Sequence, residues 1–448
     1  MKKLIETIRN IWKIEDLRSR LLTTILLVMI YRFGSFIVLP GIDPAALTSL
    51  KSQTQGGLLA LLDMFSGGAF HNASVFALGI MPYISASIVI QLLTIAVPYF
   101  QKMQREGESG RRKMNQYTRY LTVIILLMQG PSYLINLSVQ MAQAGAQMPS
   151  GWWFTISSTA ILCGGSMFVM WLGERITDKG IGNGISFIIL VGIIARFPEA
   201  ILKEFASRLG DAAGGLVMFL FELILLLLVI AASIMLVQGT RKIPVQYAKR
   251  VVGNKQYGGV RQYIPLKINA AGVMPIIFAQ AIMFIPLTLV SYTKSESMKG
   301  FVGQFMDNTG VWYNVVFGLL IVIFTYFYTA ITINPTQMAE EMKRNNGFIP
   351  GIKPGKRTSE YLDEIMSRIT LPGSIFLALV AIMPAFARIL GINQAFAAFF
   401  GGTSLLILVG VVLDTLQQIE SHLLMRHYDG LLKSGRIKGR TGGGASAY

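Results

Sequence analysis

Hydrophobic positions along the chain fall into long runs separated by polar and mostly basic loops. A transmembrane helix needs about 20 predominantly apolar residues. Ten runs reach or approach that length: residues 21–39, 75–100, 120–139, 152–172, 181–197, 216–237, 270–290, 312–333, 369–388 and 396–416. The pattern predicts an all-α polytopic membrane protein with ten transmembrane helices.

Composition agrees with this reading. The chain is 53% hydrophobic and only 14% charged, which excludes a soluble globular protein. Residues 1–20 place Leu4, Ile8, Ile11 and Trp12 close to one helical face among basic residues, a pattern typical of an amphipathic helix at the membrane surface. No small-residue cleavage site follows the first run, so we expect that run to be a retained span.

The basic residues predict the orientation. Most of the 40 Lys and Arg residues lie in the amino-terminal arm, the even-numbered loops and the carboxyl tail, residues 418–448. Ten spans put both termini on one side of the membrane. The positive-inside rule makes that side cytoplasmic.

Loop lengths suggest an internal repeat. The order of long and short loops after the first span recurs after the sixth, which favours two inverted five-helix halves, residues 21–210 and 211–417. Inverted repeats commonly carry the functional site at their interface. A chance recurrence of loop lengths is the alternative.

Catalytic chemistry is not expected. Cys163 is the only cysteine, the three histidines lack zinc-site spacing, and no nucleophile–base pair stands out. Residues 351–358 resemble a phosphate-binding loop, but Pro350 and Arg357 occupy positions that require Gly and Ser or Thr. We therefore expect no enzyme activity, no cofactor and no metal. The spans hold few charges near their middles, so an ion-coupled secondary transporter is only the alternative function.

Helix-breaking residues recur inside the apolar runs. Glycine or proline interrupts the second, fifth, seventh and tenth runs, at Pro82, residues 180–184, Gly272 with Pro275, and Gly401 with Gly402. Irregular backbone at membrane depth is tolerated where it is buried in protein or lines a cavity. Ordinary small-residue helix packing is the alternative.

Helical periodicity puts isoleucines and polar residues on shared faces. Ile80, Ile84, Ser87 and Gln91 fall on one face of the second run, and Ile185 and Ile189 share a face of the fifth. On the second run the isoleucines come first and the polar residues follow. A water-filled funnel that narrows to a ring of isoleucines would show such a change from apolar to polar side chains. Core packing explains the isoleucines equally well.

At these residues the chain closely resembles the SecY family of protein-conducting channels. The motifs that carry the resemblance are "GIMPYISASIVIQLL", "GIGNGISFII", "PLKINAAGVMPIIFA", "NPTQMAE", "FIPGIKPGKRT" and "FGGTSLLI". The resemblance implies an hourglass pore whose constriction is a ring of six apolar side chains. Carried over by motif, the ring is Ile80, Ile84, Ile185, Ile189, Ile277 and Ile407.

The resemblance also implies a plug, residues 56–72, that folds back into the outer cavity. Leu58, Leu61, Leu62 and Phe65 recur at helical spacing, and Gly67 and Gly68 follow as a hinge. An interfacial helix on the outer leaflet is the alternative for this segment.

A lateral gate toward lipid is implied between the second and third spans and the seventh and eighth. Its candidate residues are Gln91, Gln129, Asn136 and Pro275.

Two basic loops, residues 238–269 and 334–368, are implied to dock the ribosome or the motor ATPase SecA. A basic loop that merely faces lipid headgroups is the alternative. The candidate docking residues are Lys249, Arg250, Lys255, Arg261, Lys353, Lys356 and Arg357. Lys353 stands where family members usually have arginine, so a point charge replaces a guanidinium fork there.

Further expectations rest on the resemblance alone. SecE and SecG are the implied partner subunits, signal-sequence-bearing polypeptides are the substrates, and membrane lipid receives the laterally released segments. The implied location is the bacterial plasma (inner) membrane. A membrane insertase of the YidC kind is a third possibility, but it would have fewer spans.

Overall fold

The computed structural model describes residue 12 and residues 14–43, 66–143, 149, 151–210, 215–247, 250–252, 255–257, 261–280, 282–283 and 310–433. Side chains are described as far as residue 423. Four predicted plug residues, Leu58, Leu61, Leu62 and Phe65, lie outside the described residues, as does Lys249. Most of the predicted surface helix, residues 1–20, and the end of the tail lie outside them too.

The described chain is mostly helical, as predicted. We number its helices in chain order: α1 Glu15–Gly34, α2 Met81–Ala96, α3 Pro98–Arg105, α4 Glu108–Gln143, α5 Trp152–Lys179, α6 Gly184–Gly210, α7 Gly215–Gln238, α8 Val311–Thr332, α9 Pro335–Arg344, α10 Lys356–Ile389, α11 Gln394–Ala397 and α12 Gly402–Lys433. Residues 274–280 are also helical.

The number of spans is lower in the described residues than the predicted ten. Seven helices there are long and apolar enough to cross a membrane, or eight if α2 and α3, which meet at a bend of 100°, form one broken span. The first predicted span lies largely in α1, which also contains five charged residues. The seventh, residues 270–290, is described only in part. The multi-span helical class is confirmed, whereas the count of ten is not.

The second predicted span begins later than its hydropathy suggested. Residues 66–80 fold as turns and a single β-bridge between Val38 and Ser74, and the helix starts at Met81. Gly67, Gly68 and Gly79 adopt positive φ, a conformation that interrupts a right-handed helix. Apolar composition therefore extended the prediction over residues 75–80, which form turns in which Gly79 has a positive φ.

The helices pack around α5 and α6. Helix α5 contacts α1, α4 and α6, and α6 contacts α7 and α12, while α8 lies against α10. The largest buried cluster is built from α5, α6, residues 66–80 and the segment from residue 387 to the first half of α12.

The two predicted basic loops contain strands that the sequence analysis did not predict. They are β1 Thr240–Tyr247, β2 Arg250–Val252, β3 Lys255–Tyr257, β4 Arg261–Lys267 and β5 Gly347–Phe348. Antiparallel pairing gives a three-stranded sheet in the order β4-β1-β5, and β2 pairs separately with β3. Ile243 and Val245 bury one face of β1 against Met342, Leu362 and Met366, so both loops share one small core.

Candidate pore and docking surface

Five of the six candidate ring isoleucines pack in one cluster. Ile80, Ile189 and Ile407 are buried there, and Ile84 and Ile185 are half-buried against it. They come from the start of α2, from α6 and from α12, which are distant in sequence. The structure therefore brings together apolar side chains that only the family resemblance had grouped.

Ile277 is placed differently from the other five. It is half-buried in the helical residues 274–280 and is not a member of the described cluster. Its neighbours Ile276 and Ala279 pack in a second cluster with side chains of α7, α8, α10 and α12. This cluster lies next to the first, because Val273 and Leu408 contact both.

Close backbone packing positions Ile185 and Ile189. A Cβ atom added to Gly184 would lie 2.0 Å from the carbonyl oxygen of Gly173, so α5 and the start of α6 approach as only glycine allows. The amide of Gly184 donates to Thr177 Oγ1 at 2.8 Å, and Asn183 Oδ1 accepts from the amide of Ile185 at 3.2 Å. These contacts fix the beginning of the helix that carries both isoleucines.

The same turn is tied to two other helices. The amide of Ile181 donates to Thr24 Oγ1 of α1 at 3.2 Å. The amide of Gly182 donates to Gln418 Oε1 of α12 at 2.8 Å. The glycine-rich turn before α6 is therefore hydrogen-bonded to both α1 and α12 and is not a flexible break.

The hinge glycines of the predicted plug are held by α1. Gly67 and Gly68 have φ of +65° and +92°, which favours glycine. Arg32 Nη1 donates to the carbonyl of Gly67 at 2.9 Å, and the hydroxyl of buried Tyr31 donates to the carbonyl of Ser66 at 3.1 Å. The sequence analysis did not identify this contact of Arg32.

The candidate gate residues do not converge on one contact. Gln91 Oε1 is buried and has no hydrogen-bond partner among the described residues. Gln129 and Asn136 are exposed on α4, where Asn136 accepts from Gln140 at 2.6 Å. Pro275 lies in the first turn of the helical residues 274–280, where proline is compatible with a helix, so it does not kink a helix interior.

The candidate docking residues that the structure describes lie in the two basic loops, residues 238–269 and 334–368. Lys353, Lys356 and Arg357 are exposed, and Thr358 Oγ1 donates to the carbonyl of Lys353 at 3.0 Å. Lys356 and Arg357 occupy the first turn of α10, where positive charge opposes the helix dipole. The backbones of Arg250, Lys255 and Arg261 lie on β2, β3 and β4.

A buried ion-pair network was not predicted from the sequence. Arg208 Nε lies 3.0 Å from Glu204 Oε1, and Arg208 Nη2 lies 2.6 Å from Glu222 Oε1. The i,i+4 spacing of Glu204 and Arg208 was the available signal.

A metal site does not emerge from the described side chains. Within that part of the chain, no group of three or more His, Cys, Asp or Glu residues lies close enough to hold a metal ion. What the described residues offer instead is a buried cluster of isoleucines and a set of exposed basic side chains at residues 353–357.

Comparison with known proteins points in one direction. The family model SecY matches residues 74–416. The protein translocase subunit SecY of Streptomyces scabiei is 43% identical over 435 residues, which cover 94% of this chain and 98% of that protein.

Solved structures agree on the fold. A SecY structure described for its plug domain, which stabilises the closed state of the translocation channel, superposes with a TM-score of 0.62 at 17% identity, covering 94% of this chain and 95% of that chain. Sec61 in the canine ribosome–channel complex from the endoplasmic reticulum gives a TM-score of 0.57 at 17% identity, covering 94% and 95%.

Proposed function

The chain belongs to the SecY family, and on that premise we propose that it passes unfolded polypeptides across a membrane and releases membrane segments sideways into lipid. It is a multi-pass membrane protein and a protein translocase subunit rather than an enzyme. The observation that carries the proposal is that isoleucines from α2, α6 and α12 share one buried cluster.

An apolar constriction suits this task for two reasons. A ring of isoleucine side chains excludes water and so blocks ions when the channel is at rest. Isoleucine also offers no hydrogen-bonding atom, so a sliding chain of any sequence finds nothing specific to bind. The proposed ring is Ile80, Ile84, Ile185, Ile189, Ile277 and Ile407. The four from α2 and α6, together with Ile407, are buried or half-buried in one cluster, whereas Ile277 is half-buried outside it.

The plug and the gate complete the proposed cycle. Residues 56–72 block the outer cavity at rest, and the contacts of Tyr31 and Arg32 with residues 66–67 support a fixed attachment for that segment. Lateral opening occurs beside α2 and α4, where the unpartnered buried oxygen of Gln91 supports a polar lining.

The two basic loops, residues 238–269 and 334–368, form the proposed docking surface for the ribosome and for SecA. Sec61, whose fold is similar, is described in a complex with the ribosome. Exposed Lys353, Lys356 and Arg357 offer phosphate-directed charge. SecE and SecG are the proposed partner subunits, and signal-sequence-bearing polypeptides are the substrates.

We place the channel in the bacterial plasma membrane with both termini in the cytoplasm. The excess of Lys and Arg on one side supports that orientation. The alternative of an ion-coupled transporter finds no support in the family match or in the similar structures.

Reconstitution tests the proposal. The complex purified with its co-purifying small subunits is placed in proteoliposomes with SecA, ATP and a secretory precursor. We expect precursor protected from added protease, and we expect protection to require both SecA and an intact signal sequence. Absence of protected precursor in vesicles that retain folded complex would contradict the proposal.

A further inference from the structure

Three charged side chains are buried together where α6, α7 and the α10–α11 turn meet. Glu204 and Glu222 are each 1% exposed and Arg208 is 9% exposed. Two carboxylates and one guanidinium leave the group with an excess negative charge. Burial of ions costs free energy that ion pairing often fails to recover, so stability alone does not account for such a group.

The network reaches beyond its own two helices. Arg208 Nη2, which bonds Glu222, also donates to the carbonyl of Gly391 at 2.9 Å. The second oxygen of Glu204 accepts from the amide of Asn393 at 2.9 Å. One guanidinium and one carboxylate therefore join the end of α6 to the backbone of residues 391–393.

From residue 393 a short and well-packed segment leads to the candidate ring. Asn393 Oδ1 caps α11. The ring of Phe399 lies edge-on to the ring of Phe197 of α6, with the ring centroids 5.0 Å apart. Ser404 Oγ donates to the carbonyl of Ala398 at 2.7 Å. Helix α12 begins at Gly402 and carries Ile407. Rigid packing transmits position along this segment, because cores resist deformation.

We infer that Arg208 is a positioning residue of the channel: with Glu204 and Glu222 it holds residues 391–402, and through them Ile407, at a fixed distance from the isoleucines of α6. The inference rests on the proposed function only for its consequence, a tight seal at rest. The geometric part concerns the α6–α12 spacing and stands apart from translocation.

The variant is chosen to limit the buried charge that is left without a cation. Arg208→Gln alone would leave two buried carboxylates without their cation, so it is combined with Glu222→Gln. The double variant keeps the net charge of the wild-type network but loses the guanidinium that bridges Glu204, Glu222 and Gly391. Lys203→Gln is the matched control, because it breaks an ion pair on the surface of the same helix. The side chain of Lys203 is 41% exposed and that of its partner Glu199 is 58% exposed.

The measurement uses spin labels on exposed positions of the two helices. Cys163→Ser removes the chain's one cysteine, and cysteines then replace Ile194 on α6 and Leu416 on α12, which are 46% and 49% exposed. In the reconstituted complex at rest we expect the double variant to broaden the label–label distance distribution and to raise resting ion conductance severalfold. Lys203→Gln should change neither quantity.

The outcomes separate the two ideas. An unchanged distance distribution in a folded double variant overturns the inference, whatever the conductance. A broadened distribution with unchanged conductance would support the positioning role of Arg208 and would overturn its stated consequence, that the position of Ile407 sets the resting seal. If the wild-type complex fails to translocate the precursor, the proposed function is contradicted, whereas the comparison of label–label distances stays valid.

Discussion

Two adjacent glycines in α5 give a sharp test of how residues 66–80 are packed. Gly164 faces open space, since a Cβ atom added there meets nothing within 4 Å. Gly165 lies against the turn segment that leads to Ile80, and a Cβ there would lie 2.2 Å from the carbonyl oxygen of Val75. The two substitutions Gly164→Ala and Gly165→Ala are chemically identical and differ only in what the new methyl group meets.

The expected effects have opposite signs. Alanine in a helix interior is favoured over glycine by about 0.5–1 kcal/mol, so Gly164→Ala should raise the free energy of unfolding by that amount. Gly165→Ala gains the same helix preference of alanine over glycine. Its new methyl group, however, forces the Val75 backbone back by roughly 1 Å, and overpacking of this kind costs about 1–3 kcal/mol. We therefore expect Gly165→Ala to be about 1–3 kcal/mol less stable than Gly164→Ala.

Unfolding in mixed micelles by titration with SDS measures both free energies on the same scale. A second reading is resting conductance, which should rise only in Gly165→Ala because residues 66–80 position Ile80. Equal stabilisation by the two substitutions would refute the packing of this segment against α5.

Three further predictions follow from the same geometry. Ile407→Asn should wet the constriction and raise ion leakage in planar bilayers, and unchanged conductance would count against its place in the ring. Tyr31→Phe should lower the free energy of unfolding by about 0.5–1.5 kcal/mol, because the Ser66 carbonyl loses the hydroxyl donor and keeps only the amide of Ala69; Tyr120→Phe, 67% exposed, is the control and should have almost no effect. The double variant Lys356→Glu/Arg357→Glu should weaken ribosome binding and flatten its salt dependence in co-sedimentation, and retained binding with an unaltered salt slope would argue against docking at α10.

The sequence predicted the class of fold well because membrane burial imposes a simple rule. Every backbone polar group must be satisfied within the span, so long apolar runs become helices. The runs at residues 152–172 and 312–333 lie within α5 and α8 almost as expected. The rule failed at residues 75–80, which are apolar but form turns, with a positive φ at Gly79.

Other features depended on tertiary contacts and so could not be predicted. The strands of the basic loops form because Ile243 and Val245 find partners in α9 and α10, more than 90 residues later in the chain. The link from Arg208 to Gly391 joins positions 183 residues apart, and no local pattern indicates it. Membership of the ring came from the resemblance, since periodicity alone left ordinary core packing as an equal alternative.

The central claim is that a moving polypeptide passes through a constriction lined by these isoleucines. The most direct measurement arrests a secretory precursor carrying one cysteine halfway through the reconstituted channel, on a background of Cys163→Ser. Single cysteines then replace Ile84 or Ile189 in the cluster, or Met235 on α7, which is 75% exposed. The account predicts disulfide-linked precursor at positions 84 and 189 and none at 235. Linkage at 235 with none at the isoleucine positions would contradict it.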